Sequence, residues 1–390
     1  MFRASKINRV VINGQPVPFV TEADHVGVTR NVLGNMPNIL NRITAHKRAL
    51  AAVAPVGLPY GKRGNPQASL KTSELYGTPV LFSVIASLKL TSAEVKIIDT
   101  HYTKTVQRLL RLHDKTPRSL IFLMAGTLPG EAVLHLRQLT LFLQVCHLPH
   151  SPLHAHGKNV LLCAPESAKS WFFDVRKLCQ TYSLDHPLFL LSNPPRKAAY
   201  KEFVDKMVVS YWEASLREEA ATLPSLHLFA ANNCSIGAIH PVFSLAGKKD
   251  FEVAKATIVA RMISGRYRTD YLARHWSNDR SGRCSLCRRE IGTLDHIIVR
   301  CSILNSVRDK MKQMALAKSA PLVPLYEAYR SLFTNHQDYL LQFLLEPSLF
   351  PSITELWVCY GENVRKVVYY VNRTFLYSIH CERLKILGEW

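Results

Sequence analysis

The stretch RCSLCRREIGTLDHIIVRC, Arg283 to Cys301, sets Cys284, Cys287, His296 and Cys301 at the spacing C-x2-C-x8-H-x4-C. Two cysteines separated by two residues fit a tight turn whose thiolates converge on one ion, and a histidine and third cysteine from the next helix complete a tetrahedron. Four protein ligands leave no position for a substrate water, so the spacing predicts one structural Zn2+ whose binding energy appears as folding energy. The competing reading makes these reduced, buried cysteines and an ordinary core histidine. It explains less of the spacing.

Working outward, Arg274, Arg280, Arg283, Arg288, Arg289 and Arg300 outnumber Asp279, Glu290 and Asp295 around the cysteines. Upstream, a basic helix is predicted to carry Lys255, Arg261, Arg266 and Arg268. We take Arg261, Arg266, Arg268, Arg274, Arg280, Arg283, Arg288, Arg289 and Arg300 as candidate phosphate contacts; the competing reading is a solvated charged face. Tyr267, Tyr271 and Trp276 interleave with them and are either base-stacking rings or core aromatics.

The charge is chain-wide. Forty-nine Lys and Arg against 29 Asp and Glu leave a formal net charge of +20, which favours polyanionic partners through counterion release. RNA or DNA is the first candidate. An anionic membrane surface is the competing polyanion, but no polybasic block beside an apolar segment supports it. The N-terminus lacks the apolar run of a signal peptide, so a nuclear or cytoplasmic chain is expected, not a secreted one. Nine cysteines scattered from Cys146 to Cys381 do not form a disulfide framework in such a compartment.

The fold is expected to be mainly α. A short N-terminal β hairpin is predicted around Asn13-Gly14. Helical periodicity then begins at Met36 and continues with Ile39, Leu40, Ile43, Leu50 and Val53. Further helices are predicted at about Leu70–Leu88, Ala93–His113, Gly130–Cys146, Ser170–Tyr182, Lys197–Thr222 and Val364–Leu387. HLPHSPLHAH, with His147, His150, His154 and His156, is expected as a solvated loop and not a metal site. CSIGAIHPVFSLAG at 234–247 is expected as a linker. These readings divide the chain at 1–29, 30–150, 151–245, 246–312 and 313–390.

Polymerisation by two metal ions needs closely placed carboxylates, commonly an aromatic-Ala-Asp-Asp hairpin. None is present in the sequence, nor is a Gly-x-Ser-x-Gly elbow, a Walker loop or a His-Glu-x-x-His helix. The segments nevertheless resemble, nearly end to end, the C-terminal half of LINE-type (non-LTR) retrotransposon reverse transcriptases. INGQPVPFVTEADHVGVTRN is similar to the last palm strands of that family and GNMPNILNRITAHKRALAAVAPVGL to its first thumb helix. LYGTPVLFS, AGTLPGEAVLHLRQLTLF, SWFFDVRKLCQTY, HPLFLLSNPPRKAAYK and YWEASLREEA are similar to the segments that follow, and ARMISGRYRTDYLARHW leads into the family's CCHC module.

The resemblance implies palm-strand remnants over 1–29, a helical thumb-like bundle, a basic zinc-binding lobe and C-terminal helices. It places the metal ligands on Cys284, Cys287, His296 and Cys301. It also implies that polymerase carboxylates lie upstream of Met1, so the chain is expected to bind nucleic acid without polymerising it. Two alternatives stay open: part of an active RNA-directed DNA polymerase whose palm and endonuclease lie upstream or on another chain, and a domesticated protein-interaction scaffold. One departure from the family, Gly292-Thr293-Leu294-Asp295 where relatives carry more glutamate, puts a supporting partner for His296 in question.

Overall fold

The structure, a computed structural model, describes residues 34–54, 65–165, 169–247, 249–275 and 281–389, with backbone segments at 11–12, 15–16, 22–25 and 28–31. Asn13 and Gly14, the expected hairpin turn, lie outside the described residues. Short antiparallel pairings join Val11–Ile12 to Gln15–Pro16 and Glu22–His25 to Val28–Asn31. The cores are built from helices, and the chain is mainly α.

The first group of helices is α1 (Met36–Ala52), α2 (Pro66–Thr72), α3 (Thr78–Phe82), α4 (Ser92–Leu109), α5 (Arg118–Ala125) and α6 (Gly130–Cys146). The single helix expected over 70–88 is broken. Pro79 has no N–H to continue the ladder, so the chain widens into a π turn over Ser73–Gly77 between α2 and α3. The start of α4 is fixed by a capping box, Thr91 Oγ1 accepting from the Glu94 N–H while Glu94 accepts from the Thr91 N–H.

Next come α7 (Pro152–Cys163), α8 (Trp171–Thr181), α9 (Pro187–Ser192) and α10 (Lys197–Thr222). Here α7 corrects the loop expected over the histidines: Ser151 caps its N-terminus and Pro152 occupies the first helical position. His154 is buried with its ring on the Leu191 carbonyl, and His147 contacts the Pro195 carbonyl.

The remaining helices are α11 (Pro241–Ser244), α12 (Asp250–Ile263), α13 (Asp270–Ala273), α14 (Asn305–Ser319), α15 (Val323–Thr334), α16 (Gln337–Leu345), α17 (Pro351–Tyr360) and α18 (Glu362–Leu387). The segment expected as a linker, 234–247, is packed into the core: Cys234, His240, Val242, Phe243 and Ala246 are all buried. Its Gly237 N–H donates to the Gly126 carbonyl and its His240 N–H to that of Met124. Gly126 ends α5 at φ +64°, and a Cβ there would sit 2.2 Å from the Ala238 carbonyl oxygen, so only glycine fits. The basic helix is shorter than expected. α12 stops at Ile263 before Gly265 at φ +64°, leaving Arg266 and Arg268 beyond its end.

Two hydrophobic clusters organise the molecule. The larger gathers side chains of α1, α3, α4, α5, α12 and α14–α18, with Phe122, Phe243, Ile263, Tyr329, Phe343 and Phe375 fully or almost fully buried. The smaller gathers the second half of α6 with α8, α9 and the first half of α10. α10 serves both, burying Tyr200, Val204, Val208 and Trp212 in the smaller cluster and Leu216 and Ala220 in the larger. Among the described residues no single helix is long and apolar enough to cross a membrane.

Candidate metal centre

Between α13 and α14 the chain makes a compact turn. Arg283 bridges Ile291 in antiparallel register and the Cys284 N–H donates to the Glu290 carbonyl at 2.8 Å, closing a knuckle that holds Cys284 and Cys287. Arg288 lies in the left-handed region at φ 57°, with its N–H on the Cys284 carbonyl, and a non-glycine residue there carries strain of about 1 kcal/mol or more. Gly292 anchors the other end of the knuckle. A Cβ at Gly292 would meet the Asp270 carboxylate at 2.6 Å, and that carboxylate also accepts from the Ser285 N–H.

His296 and Cys301 arrive on a π turn, His296–Arg300, whose closing bond runs from the Cys301 N–H to the His296 carbonyl at 2.7 Å. The wider turn places residues five apart on one side, as an α turn would not. The result brings Cys284, Cys287, His296 and Cys301 together, one ligand atom from each lying within 4.8 Å of the others. Cys287 Sγ is 3.3 Å from His296 Nε2, and Cys284 Sγ is 3.9 Å from Cys301 Sγ. Sulfurs at that separation are not bonded, and all nine cysteines are free thiols. This Cys3His cluster, at the positions the sequence picked out, can hold a metal ion.

Electrostatics distinguish its members. Burial raises the Cys287 thiol, but the backbone N–H groups of Arg289 and Glu290, with His296 and Cys284, outweigh it and bring the thiol down to about 6. Cys301 is pushed up to about 12, by burial first and then by the neighbouring cysteines. One thiolate is therefore prepared and another needs a cation beside it.

Two supporting residues escaped the sequence reading. Glu290 Oε2 accepts from His296 Nδ1 at 3.0 Å, which orients the ring so that Nε2 faces the sulfurs. This fills the role that the 292–295 segment left in question. Arg308, buried, donates to the carbonyls of Ile298 (3.0 Å) and Cys301 (2.9 Å) and to Asn305 Oδ1 (2.6 Å), bracing the π turn from α14. Its distance of seven residues past Cys301 gives no local signal.

The candidate arginines are divided. Arg283, Arg288 and Arg289 are exposed and form no ion pair among the described residues; Arg283 and Arg289, with Arg300, line a concavity of about 420 Å³ beside His296. Arg300 pairs with Asp295 (2.8 Å) and Asp338 (3.4 Å). Arg268 is exposed and 3.7 Å from Glu389. Arg274 lies 3.9 Å over the Tyr271 ring. Arg261 and Arg266 turn inward: Arg261 donates to the Arg111 carbonyl, and Arg266 Nε is buried without a partner. Arg280 and Trp276 lie outside the described residues. Tyr267 is a core ring, 5% exposed, with its hydroxyl on His380 Nδ1. No family model, no curated protein and no solved structure matches this chain.

Proposed function

We propose that this chain is an RNA- and DNA-binding polypeptide in which one structural Zn2+ staples a basic lobe, of the kind found in the C-terminal half of LINE-type reverse transcriptases. The carrying observation is the coincidence of a converged Cys3His cluster with exposed, unpaired Arg283, Arg288 and Arg289 on its knuckle. Thiolates and an imidazole in a closed set are the donors zinc prefers. Four of them complete a tetrahedron, so the ion would hold structure and activate no water.

The arginines would then contact phosphates, which positions a nucleic acid without reading its bases. Binding is proposed in place of polymerisation because the sequence encodes no paired-aspartate hairpin. Elemental analysis tests the metal, at one zinc per chain. Salt titration tests the surface: replacing Arg283, Arg288 and Arg289 together by Ala should flatten the log–log slope for duplex by about 2.7, three phosphates at about 0.9 each, and weaken all sequences alike. Salt-independent or undetectable binding to RNA, duplex DNA and hybrid would refute the proposal, and template-dependent primer extension would refute its non-catalytic part.

A further inference from the structure

Far from the metal centre in sequence, α4, α6 and α8 enclose a second cavity, of about 440 Å³. Its floor is one face of α6, where Glu131, His135 and Gln138 stand at i, i+4 and i+7. Leu90, Val95, Leu134 and Leu178 give it apolar lining, and exposed Lys96 and Lys177 line it with Asp174, whose carboxylate is engaged by Lys89.

The floor carries polar groups turned to the cavity. Gln138 is 5% exposed as a residue, and its amide makes no hydrogen bond among the described residues. Its polar atoms are not sealed from solvent, so both the donor and the acceptor side of the amide are open to a ligand. The Glu131 carboxylate makes no hydrogen bond or ion pair among the described residues. The nearby cation, Arg118, is engaged by Asp99 through two bonds of 2.9 and 3.2 Å, and Asp99 also accepts from the Glu131 N–H. His135 is held by a relay. Trp212 Nε1–H donates to the Tyr182 hydroxyl at 2.9 Å, and that hydroxyl lies 2.7 Å from His135 Nδ1; with the hydroxyl proton turned to Nδ1, the ring keeps its own proton on Nε2. Burial holds this imidazole neutral, at about 4.

A ligand for this cavity must offer an N–H to Glu131, a paired donor and acceptor to Gln138, an acceptor to His135, flat apolar faces and an anion for two lysines. An amino acid lacks the paired edge and fills little of the space. A heteroaromatic base with an exocyclic amine has that edge, as in the pairing of glutamine with adenine N6 and N7 or of glutamate with cytosine N4. We infer that this cavity is a nucleotide site, taking an amine-bearing nucleobase on Glu131, His135 and Gln138 and its phosphate on Lys96 and Lys177. The nucleotide comes either free or as an unpaired residue at the end of a strand. The site shares no residue with the metal lobe, so each reading can fail alone.

The test is calorimetric titration of the full chain with AMP, UMP, adenosine and inorganic phosphate. AMP should bind at least about tenfold more tightly than UMP, which lacks the amine. Gln138→Leu should abolish that preference while leaving the melting temperature nearly unchanged, because the Gln138 amide holds no other residue in place. Lys96→Ala with Lys177→Ala should weaken AMP but not adenosine. Oligonucleotides with an unpaired terminal A or T separate the two sources: an A-over-T preference that survives competition by AMP only at millimolar levels assigns the strand end. Equal binding of AMP and UMP, AMP binding unaltered by Gln138→Leu, no binding at millimolar AMP, or preference for a free amino acid would each overturn the inference.

Discussion

Glu290 offers the sharpest test of the metal centre, because its side chain touches the site only through His296. The carboxylate fixes the imidazole so that Nε2 faces the sulfurs, at a bond of 3.0 Å. Removing such a partner typically costs about 10–100-fold in metal affinity. The His296 side chain is 5% exposed but that of Glu290 is 64% exposed, so water can replace much of what Glu290→Ala removes. The low end follows, about tenfold or about 1.4 kcal/mol. Glu290→Gln keeps an acceptor and loses the charge, so its cost should be smaller still. Both variants keep the backbone N–H of residue 290 that steadies the Cys287 thiolate. Competition for Zn2+ against a chromophoric chelator should rank wild type above Glu290→Gln, then Glu290→Ala, with Cys287→Ser far below. Wild-type affinity in Glu290→Ala would refute the orienting role, and loss as complete as in His296→Ala would make Glu290 a ligand instead.

Arg308→Ala strands two carbonyls and Asn305 Oδ1 in the interior; thermal or urea unfolding should show a loss of about 3 kcal/mol, with weaker zinc retention because Cys301 loses its brace. Acid should destabilise the fold independently of the metal. His46, His101, His135 and His380 are held near 4 by burial, below the ordinary 6.5, so the unfolded chain takes up protons first. Their contribution is complete above pH 6.5 and is lost as pH falls towards 4. The slope is about 1.4 kcal/mol per pH unit for each imidazole that stays neutral. Melting temperatures from pH 7 to 4.5 should fall less steeply in His46→Gln; an identical fall would remove His46 from the account. Cys287→Ser should release the metal and loosen mainly residues 281–301, which hydrogen exchange would map.

The sequence made the long helices and the Cys3His cluster legible because both are local patterns. Gly130–Cys146 and Lys197–Thr222 match their predicted bounds, and C-x2-C with H-x4-C needs only neighbouring residues to converge. What escaped depends on contacts across the chain. The burial of His240 and Phe243 inside an apparent linker is decided by the end of α5 and by α18, which no window of 14 residues contains. Arg261 looks like a phosphate contact until the Arg111 carbonyl, 150 residues away, is seen to hold it. Glu290 and Arg308 carry no spacing rule of their own. His154 and His156 of α7 give no helix signal because Ser151-Pro152, a helix start, also looks like the middle of a loop.

α10 has a consequence for how the molecule comes apart. Its buried residues recur every fourth position from Tyr200 to Ala220, and since an α-helix advances about 100° per residue, each step turns the buried face by about 40° and the whole series by about 200°. The helix thus presents sides about 120° apart to the two clusters, like an axle gripped by a bearing at each end. Neither end can rotate or slide to follow its own cluster without dragging the other. The amides of α10 should therefore exchange with solvent as one block, at the free energy of the weaker cluster.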